Sequence, residues 1–314
     1  DEDPMAPAPV NELPRWKIFA TDGRYRFHSL SFLVQDDVNP TGTSILVEGG
    51  VFFWPGVKVG HTTVVKHVAG FEGEPVVLTT LSMRPLIFEV DGIMREDECD
   101  HLIAHAKSHM KESVVSKMDH VKGKADTTWR TSKTYFVPKG STKVLKNLER
   151  RVRDLTNIPI SHGENAQILQ YGESGHYYTH HDYFDPNLYK QSPGTLQLIE
   201  YGAKNRLATA FWYMSNVDGG GETNFPRFDG APPPMDTTTC TQGLSVKPNK
   251  GKMIIFFNML PNGDTDPLSL HAGCSVVGQK LKWSANKWLW NKPFNKHTWA
   301  GDETDLLQER GVDL

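Results

Sequence analysis

The sequence predicts a mainly β, α+β protein. Its expected core is a double-stranded β-helix (jelly roll) with helices on one side, preceded by a small N-terminal β module. Three observations predict this. Helix-type apolar spacing comes first, between Glu96 and Leu155. β-Prone runs then follow one another from Ala166 to Trp290. Gly and Pro, 27 and 20 of 314 residues, punctuate the chain often enough for many short strands.

Residues 1–14, with Pro4, Pro7, Pro9 and Pro14, read as a loose extended tail. Residues 15–85 read as short strands and turns, the expected N-terminal module. Val57 and Val59 alternate about Lys58 there, and Val64-Val65 and Val76-Val77-Leu78 add β-prone pieces. The main domain is expected over 86–295, with a C-terminal tail at 296–314. Phe88-Glu-Val-Asp-Gly92 reads as a strand and a turn. From Glu96 to Met110, Cys99, Leu102, Ile103, Ala106 and Met110 fall near one helical face. Ser141 can cap a second helix carrying Leu145, Leu148, Val152 and Leu155. Between these helices, Lys111–Thr128 is polar and is expected to be a mobile loop. Strands are expected at Ala166–Tyr171, Leu207–Met214, Leu244–Lys247, Met253–Asn258, Cys274–Val277 and Lys282–Trp290. Pro232-Pro-Pro234 and Thr237-Thr-Thr239 mark one irregular loop.

A net charge of -3 argues against nucleic acid or an anionic membrane as the main partner. No apolar run approaches membrane-spanning length. The start at Asp1 without Met fits a processed chain. Cys99, Cys240 and Cys274 are too few for a disulfide scaffold, and their spacing fits no common zinc pattern.

The chemistry concentrates at His180-His181-Asp182, which closes the β-prone run from Gln167. In a strand successive side chains alternate faces, so His180 and Asp182 share one face and His181 takes the other as a bystander. One imidazole and one carboxylate are two thirds of a facial triad for non-haem Fe(II). His271, just before a later β run, offers the third ligand. The turn-rich Gly219-Gly-Gly-Glu222 connector can return a strand to them. No His-Glu-x-x-His occurs, which sets a zinc hydrolase aside.

Seven ordered blocks place these residues in a recognisable setting. They are Glu96-Asp-Glu-Cys-Asp-His-Leu-Ile103, Trp129-Arg-Thr-Ser132, Tyr171 through Phe184, Gly220-Gly-Glu-Thr223, Val246 through Phe257, His271-Ala-Gly-Cys274 and Lys282 through Trp288. From Ile93 to Trp290, about two thirds of the chain, the sequence resembles the prolyl 4-hydroxylases, dioxygenases dependent on 2-oxoglutarate and Fe(II). The resemblance implies hydroxylation of peptidyl-proline, with 2-oxoglutarate decarboxylated to succinate, O₂ as co-substrate and ascorbate as a cofactor. An oxygenase of this type acting on another residue or a small molecule is the alternative, as is a non-catalytic peptide-binding protein on the same fold.

By the same resemblance His180, Asp182 and His271 are the iron ligands. Lys282 anchors the distal carboxylate of 2-oxoglutarate, Tyr171 hydrogen-bonds it, and Thr223 lines the pocket. A dianion in a partly dry pocket requires a cation. The family places this lysine ten residues after the distal His, where this chain has Leu281. Lys280 and Lys282 have the same strand parity, so alternation does not separate them; the block around Trp283 and Trp288 favours Lys282, with a bulge or longer turn absorbing the extra residue. Arg130, Ser132, Glu164, Arg206 and Trp288 resemble positions lining a peptide groove. Tyr178, Tyr183, Phe184 and Tyr213 could add aromatic walls suited to a polyproline II peptide. One or both of the loops 111–128 and 183–205 are expected to close over it. Cys240 and Cys274 fall where secretory members often pair, which implies a disulfide and residence in the secretory pathway or endoplasmic reticulum lumen, with the cytoplasm as the alternative. Cys99 is expected as a buried thiol.

Overall fold

The computed structural model describes residues 53–66, 68–113 and 129–294, and the backbone of three earlier strands. The expected tails at 1–14 and 296–314, and most of the expected loop at 111–128, lie outside the described residues. The chain divides into two units, Asp1–Trp54 and Pro55–Leu314. In the first, β1 (Trp16–Ala20) pairs antiparallel with β2 (Arg26–Phe27) and with β3 (Ser44–Glu48).

The division at Trp54 differs from the expected module at 15–85. β4 (Thr62–Val65) pairs with β5 (Val76–Met83), and β5 pairs with β6 (Leu86–Val90), which belongs to the main sheet. Met83 lies opposite Leu86 across a two-residue turn, so a hairpin stands where the boundary was expected. Val57 and Val59 form no strand: Val57 has φ 62° and both are exposed.

The main sheet has nine strands in the order β4-β5-β6-β15-β11-β18-β9-β8-β7. Its remaining members are β7 (Lys111–Glu112), β8 (Ser132–Val137), β9 (Ala166–Tyr171), β11 (Arg206–Tyr213), β15 (Met253–Phe257) and β18 (Lys282–Trp290). A smaller sheet runs β10 (Tyr177–His180), β16 (His271–Gly273), β13 (Thr223–Phe225), β14 (Leu244–Val246). β12 (Gly219–Gly220) and β17 (Val276–Val277) form a further antiparallel pair. Every pairing is antiparallel, and the core draws on both sheets. Ile87, Leu169, Tyr171, Phe211, Tyr213, Ile254 and Phe256 come from the main sheet, and Phe225 and Val246 from the smaller one. Each such side chain contributes about 1.5–3 kcal/mol relative to exposure. This sandwich of antiparallel sheets is the jelly-roll core the sequence predicts.

Two helices support it. α1 (Glu96–Lys107) buries Cys99, Leu102 and Ala106, and the Glu98 carboxylate accepts from the Arg95 N–H before its first turn. It stops at Lys107, short of Met110, with Ser108 closing its C-terminus. α2 (Lys143–Thr156) is capped by Thr142, whose hydroxyl accepts from the Leu145 N–H at 3.1 Å, and not by Ser141. Thr142 sits three residues before Leu145, the spacing at which a cap side chain reaches the third free N–H. The helices are joined by the buried Arg151–Glu98 pair at 2.6 Å. Lys287 of β18 ties α2 to the sheet through Glu149.

Candidate metal centre and co-substrate pocket

β10 and β16 are neighbours in the smaller sheet, and His180 lies directly opposite His271. Their imidazole centroids are 4.3 Å apart. β10 ends at His180, and Asp182 follows in the bend just beyond it. The bend still turns the carboxylate inward, with Oδ1 3.9 Å from His180 Nε2 and Oδ2 3.6 Å from His271 Nε2. The three ligand atoms lie within 4.8 Å of one another, and this is the single such group found among the described residues. His181 turns away, its Nε2 3.2 Å from the Pro267 carbonyl.

Both imidazoles are held in the tautomer a metal requires. His180 Nδ1 lies 2.8 Å from the Tyr178 carbonyl, and His271 Nδ1 lies 2.9 Å from the Ser269 carbonyl. A carbonyl only accepts, so each Nδ1 carries the proton and each Nε2 presents a lone pair to the centre. Burial, then the neighbouring His271, holds the His180 imidazole well below its ordinary range and keeps it neutral. Tyr177 stacks on the His180 ring at 3.6 Å and fixes its plane.

Asp182 is held in the opposite state. Burial alone would raise its pKa, but the positive charge of the His271 and His180 rings when protonated, the Arg206 guanidinium and the Thr209 hydroxyl hold it below its usual value. Thr209 Oγ1 donates to Asp182 Oδ2 at 2.7 Å and accepts from Asn258 Nδ2 at 3.0 Å. Two imidazoles that present Nε2 and one carboxylate, on adjacent elements, suit a divalent transition metal that keeps open positions. Thr209→Val keeps the shape and removes the donor. It is expected to weaken metal binding by about tenfold or more, as loss of an outer partner of a ligand does. Titration with Fe(II) under anaerobic conditions checks this, and an unchanged affinity would contradict it.

Side-chain alternation builds the rest of the pocket on one face of the main sheet. Thr209 lies opposite Trp288 and Tyr213 opposite Ser284 across β11 and β18, and Lys282 lies opposite Tyr171 across β18 and β9. Lys282 is 2% exposed. Its Nζ makes no hydrogen bond or ion pair among the described residues and lies 5.2 Å from the Tyr171 ring centroid and 5.6 Å from that of Phe211. Burial lowers its pKa to about 8, against a smaller raising influence from Glu222. A buried ammonium without a partner fits a site built to receive an anion. Lys280, by contrast, is exposed and paired with Asp218 at 2.8 Å. Of the two lysines, Lys280 is the exposed one and Lys282 the buried one. Gly221 closes over it: at φ +68° a Cβ there would lie 3.2 Å from Lys282 Cδ. Thr223 is buried, and its hydroxyl accepts from Tyr213 at 2.7 Å.

The expected groove residues form two clusters. Arg130 is buried, and its Nε donates to Ser132 Oγ at 3.0 Å. Its guanidinium lies 4.5 Å from the Tyr177 ring centroid, and its second terminal nitrogen has no partner. Glu164, Arg206 and Trp288 form the other cluster. Arg206 donates to both Glu164 oxygens, at 2.6 and 3.1 Å, and to the Asp182 carbonyl at 3.2 Å. The Trp288 ring lies 3.6 Å below that guanidinium, and its indole N–H is unpartnered. Of the expected walls, Tyr178 is half-buried between Trp129 and His176, Phe184 lies 4.9 Å from Arg206, and Tyr183 packs on His181. Tyr213 is fully buried in the core. The expected loop at 183–205 holds three short helical turns, at Pro186–Tyr189, Pro193–Leu198 and Glu200–Gly202. Cys240 and Cys274 are bonded, and Cys99 is a free buried thiol.

Thr209, Asn258 and Tyr177 are the contributors that sequence reasoning missed. Thr209 and Asn258 carried a signal, as lone polar residues at apolar strand runs. Tyr177 carried none, since half-buried strands are commonly aromatic.

A sequence profile of the 2OG-Fe(II) oxygenase superfamily matches residues 166–290, a range that includes His180, Asp182, His271 and Lys282. Probable prolyl 4-hydroxylase 3 of Arabidopsis thaliana is 38% identical over 67% of this chain and 70% of its own length. Probable prolyl 4-hydroxylase 7 of the same plant is 35% identical over 75% and 73%. The structure of a viral collagen prolyl hydroxylase from Paramecium Bursaria Chlorella virus-1 in complex with 2OG is 26% identical, covering 66% of this chain and 96% of its own, with a TM-score of 0.46. The identity to the plant proteins over most of both chains, together with the profile match, shows that this chain belongs to the prolyl 4-hydroxylase family of 2-oxoglutarate- and Fe(II)-dependent oxygenases.

Proposed function

We propose that the protein hydroxylates proline residues of a peptide or protein substrate, forming 4-hydroxyproline, with His180, Asp182 and His271 holding Fe(II) and Lys282 holding 2-oxoglutarate. The observation that carries the reading is the buried Lys282, whose Nζ makes no hydrogen bond or ion pair among the described residues, on the sheet face that also supports Asp182. Iron with 2-oxoglutarate and O₂ supplies the oxidant: one oxygen atom enters the C–H bond and the other leaves in succinate, with CO₂ released. The chain's own part is to bind and orient. Lys282 and Tyr171 receive the distal carboxylate, and Thr223 and Gly221 wall it. The unpartnered donors of Arg130 and Trp288 offer hydrogen bonds to peptide carbonyls, between aromatic faces that suit proline rings.

Ascorbate serves as the reductant that keeps the metal ferrous. The Cys240–Cys274 disulfide supports residence in an oxidising compartment of the secretory pathway, since such bonds are rare in the cytosol. The test is turnover of a panel of proline-containing peptides with iron, 2-oxoglutarate and ascorbate. The expected result is a mass gain of one oxygen located on proline, matched by succinate. A gain located on another residue, or succinate release with no peptide product across the panel, would overturn the proline assignment.

A further inference from the structure

Glu164 crosses the main sheet. Its side chain lies on the pocket face, where the carboxylate grips Arg206 and accepts from the Trp290 indole N–H at 2.7 Å. Its main-chain carbonyl faces the other way, onto the helix layer, and accepts from Lys287 Nζ at 2.6 Å. Lys287 and Trp288 are consecutive in β18 and so project to opposite faces. On the helix side the same ammonium is bound to Glu149 of α2 at 2.5 Å, and the second Glu149 oxygen accepts from the Gly140 N–H at 3.0 Å. Lys287 is 2% exposed and Glu149 is 1% exposed. Gly163, next to Glu164, leaves room for this arrangement: a Cβ there would lie 2.9 Å from Lys287 Cε.

We propose that Glu149 and Lys287 are positioning residues for the pocket on the far side of the sheet. They fix the backbone of Glu164, Glu164 fixes the Arg206 guanidinium, and Arg206 holds both the Trp288 ring and the carbonyl of Asp182. A buried ion pair is weak ground for stability, because apolar groups of similar volume often serve as well. Here the pair does something apolar groups cannot. Lys287 donates a directional bond to one particular carbonyl, that of a residue whose side chain organises the peptide side of the pocket. The proposal rests on the proposed peptide hydroxylation only for its kinetic consequence; its structural consequence stands without it.

The test is the double variant Lys287→Met with Glu149→Gln. Removing both charges at near-constant volume avoids stranding one of them, and the Gln oxygen can still accept from Gly140. The first readout is the Trp290 indole N–H resonance in the full-length protein loaded with diamagnetic Zn(II), assigned by its loss in Trp290→Phe. It is expected to shift and to exchange with solvent at least about fivefold faster, because Glu164 is no longer held. The second is the peptide KM, expected to rise about tenfold with the 2-oxoglutarate KM within twofold. Lys287→Arg, which keeps a donor, is expected to recover part of both. An unmoved indole resonance in the folded double variant would overturn the proposal. So would a peptide KM and a 2-oxoglutarate KM that change by the same factor. If the parent protein hydroxylates no proline peptide, the proposed function fails while the indole readout still decides the role of the pair.

Discussion

Asp182→Asn is expected to abolish turnover and to weaken Fe(II) binding by more than about a hundredfold, while leaving the protein folded. Loss of an outer partner of a metal ligand costs about 10–100-fold in affinity. Here the loss is a ligand and the only anion of the three-residue group. Asn has the shape of Asp, and its oxygen can still accept from Thr209, which donates to Oδ2 at 2.7 Å in the parent. The substitution therefore isolates charge from packing. With the oxygen kept on Thr209, the amide takes the place of Oδ1 and turns a donor towards His180 Nε2, which lies 3.9 Å from Oδ1 in the parent. A metal titration followed by thermal unfolding reads both effects. Metal should raise the melting temperature of the parent, through binding to the folded state alone, and leave that of the variant unmoved. His181→Ala is the control, because its imidazole meets the Pro267 carbonyl and not the centre; both measurements should stay within twofold of the parent. Full metal stoichiometry and turnover in Asp182→Asn would refute the ligand assignment.

The legible part of this site was local and periodic. Alternation placed His180 and Asp182 together and His181 apart, although the strand ends at His180 and a bend carries Asp182 inward. The β9 and β18 strands were legible at both ends, because their apolar runs are bounded by turn residues. The pairing of His180 with His271 was not legible from spacing, since it depends on which strands become neighbours 91 positions apart in the chain. Lys280 and Lys282 were inseparable by parity, and packing decides between them: one meets an exposed Asp218, the other lies beneath Gly221 and beside Tyr171. The boundary expected at 85 falls on a hairpin for a related reason. Turn residues at Arg84-Pro85 signal a break in a strand, and a hairpin and a domain boundary give the same local signal. The cap at Thr142 was missed by one position, since Ser141 and Thr142 are both good caps and only the helix start separates them.

Lys282→Met is expected to act in opposite directions on function and on stability, and the opposition is the strongest test of its role. Burial lowers the Lys282 pKa to about 8 from 10.5. A lysine whose folded pKa lies below its unfolded value disfavours folding while it is charged. At pH 7 the shift is a penalty on the order of 3 kcal/mol, which is relieved as pH rises from about 8 towards 10.5. Methionine fills nearly the same volume without the charge, so the variant without 2-oxoglutarate should melt higher than the parent at pH 7. Function moves the other way. The dianion loses its cation in a pocket walled by Tyr171, Phe211 and Gly221, and the 2-oxoglutarate KM should rise by about a hundredfold, since charge-assisted bonds of this kind contribute about 1.5–3 kcal/mol each. The pH dependence has a definite sign. In the parent the 2-oxoglutarate KM should be flat below about pH 8 and climb above it, as the free enzyme's ammonium loses its proton; in Lys282→Met that rise should be absent. Lys280→Ala should leave both measures unchanged, its ammonium being exposed and paired with Asp218. A Lys282→Met protein that melts lower than the parent and keeps its 2-oxoglutarate KM would mark the lysine as structural. A higher melting point with a lost co-substrate is what a charge kept buried for an anionic ligand produces, because a residue selected for packing alone would not destabilise the fold it sits in.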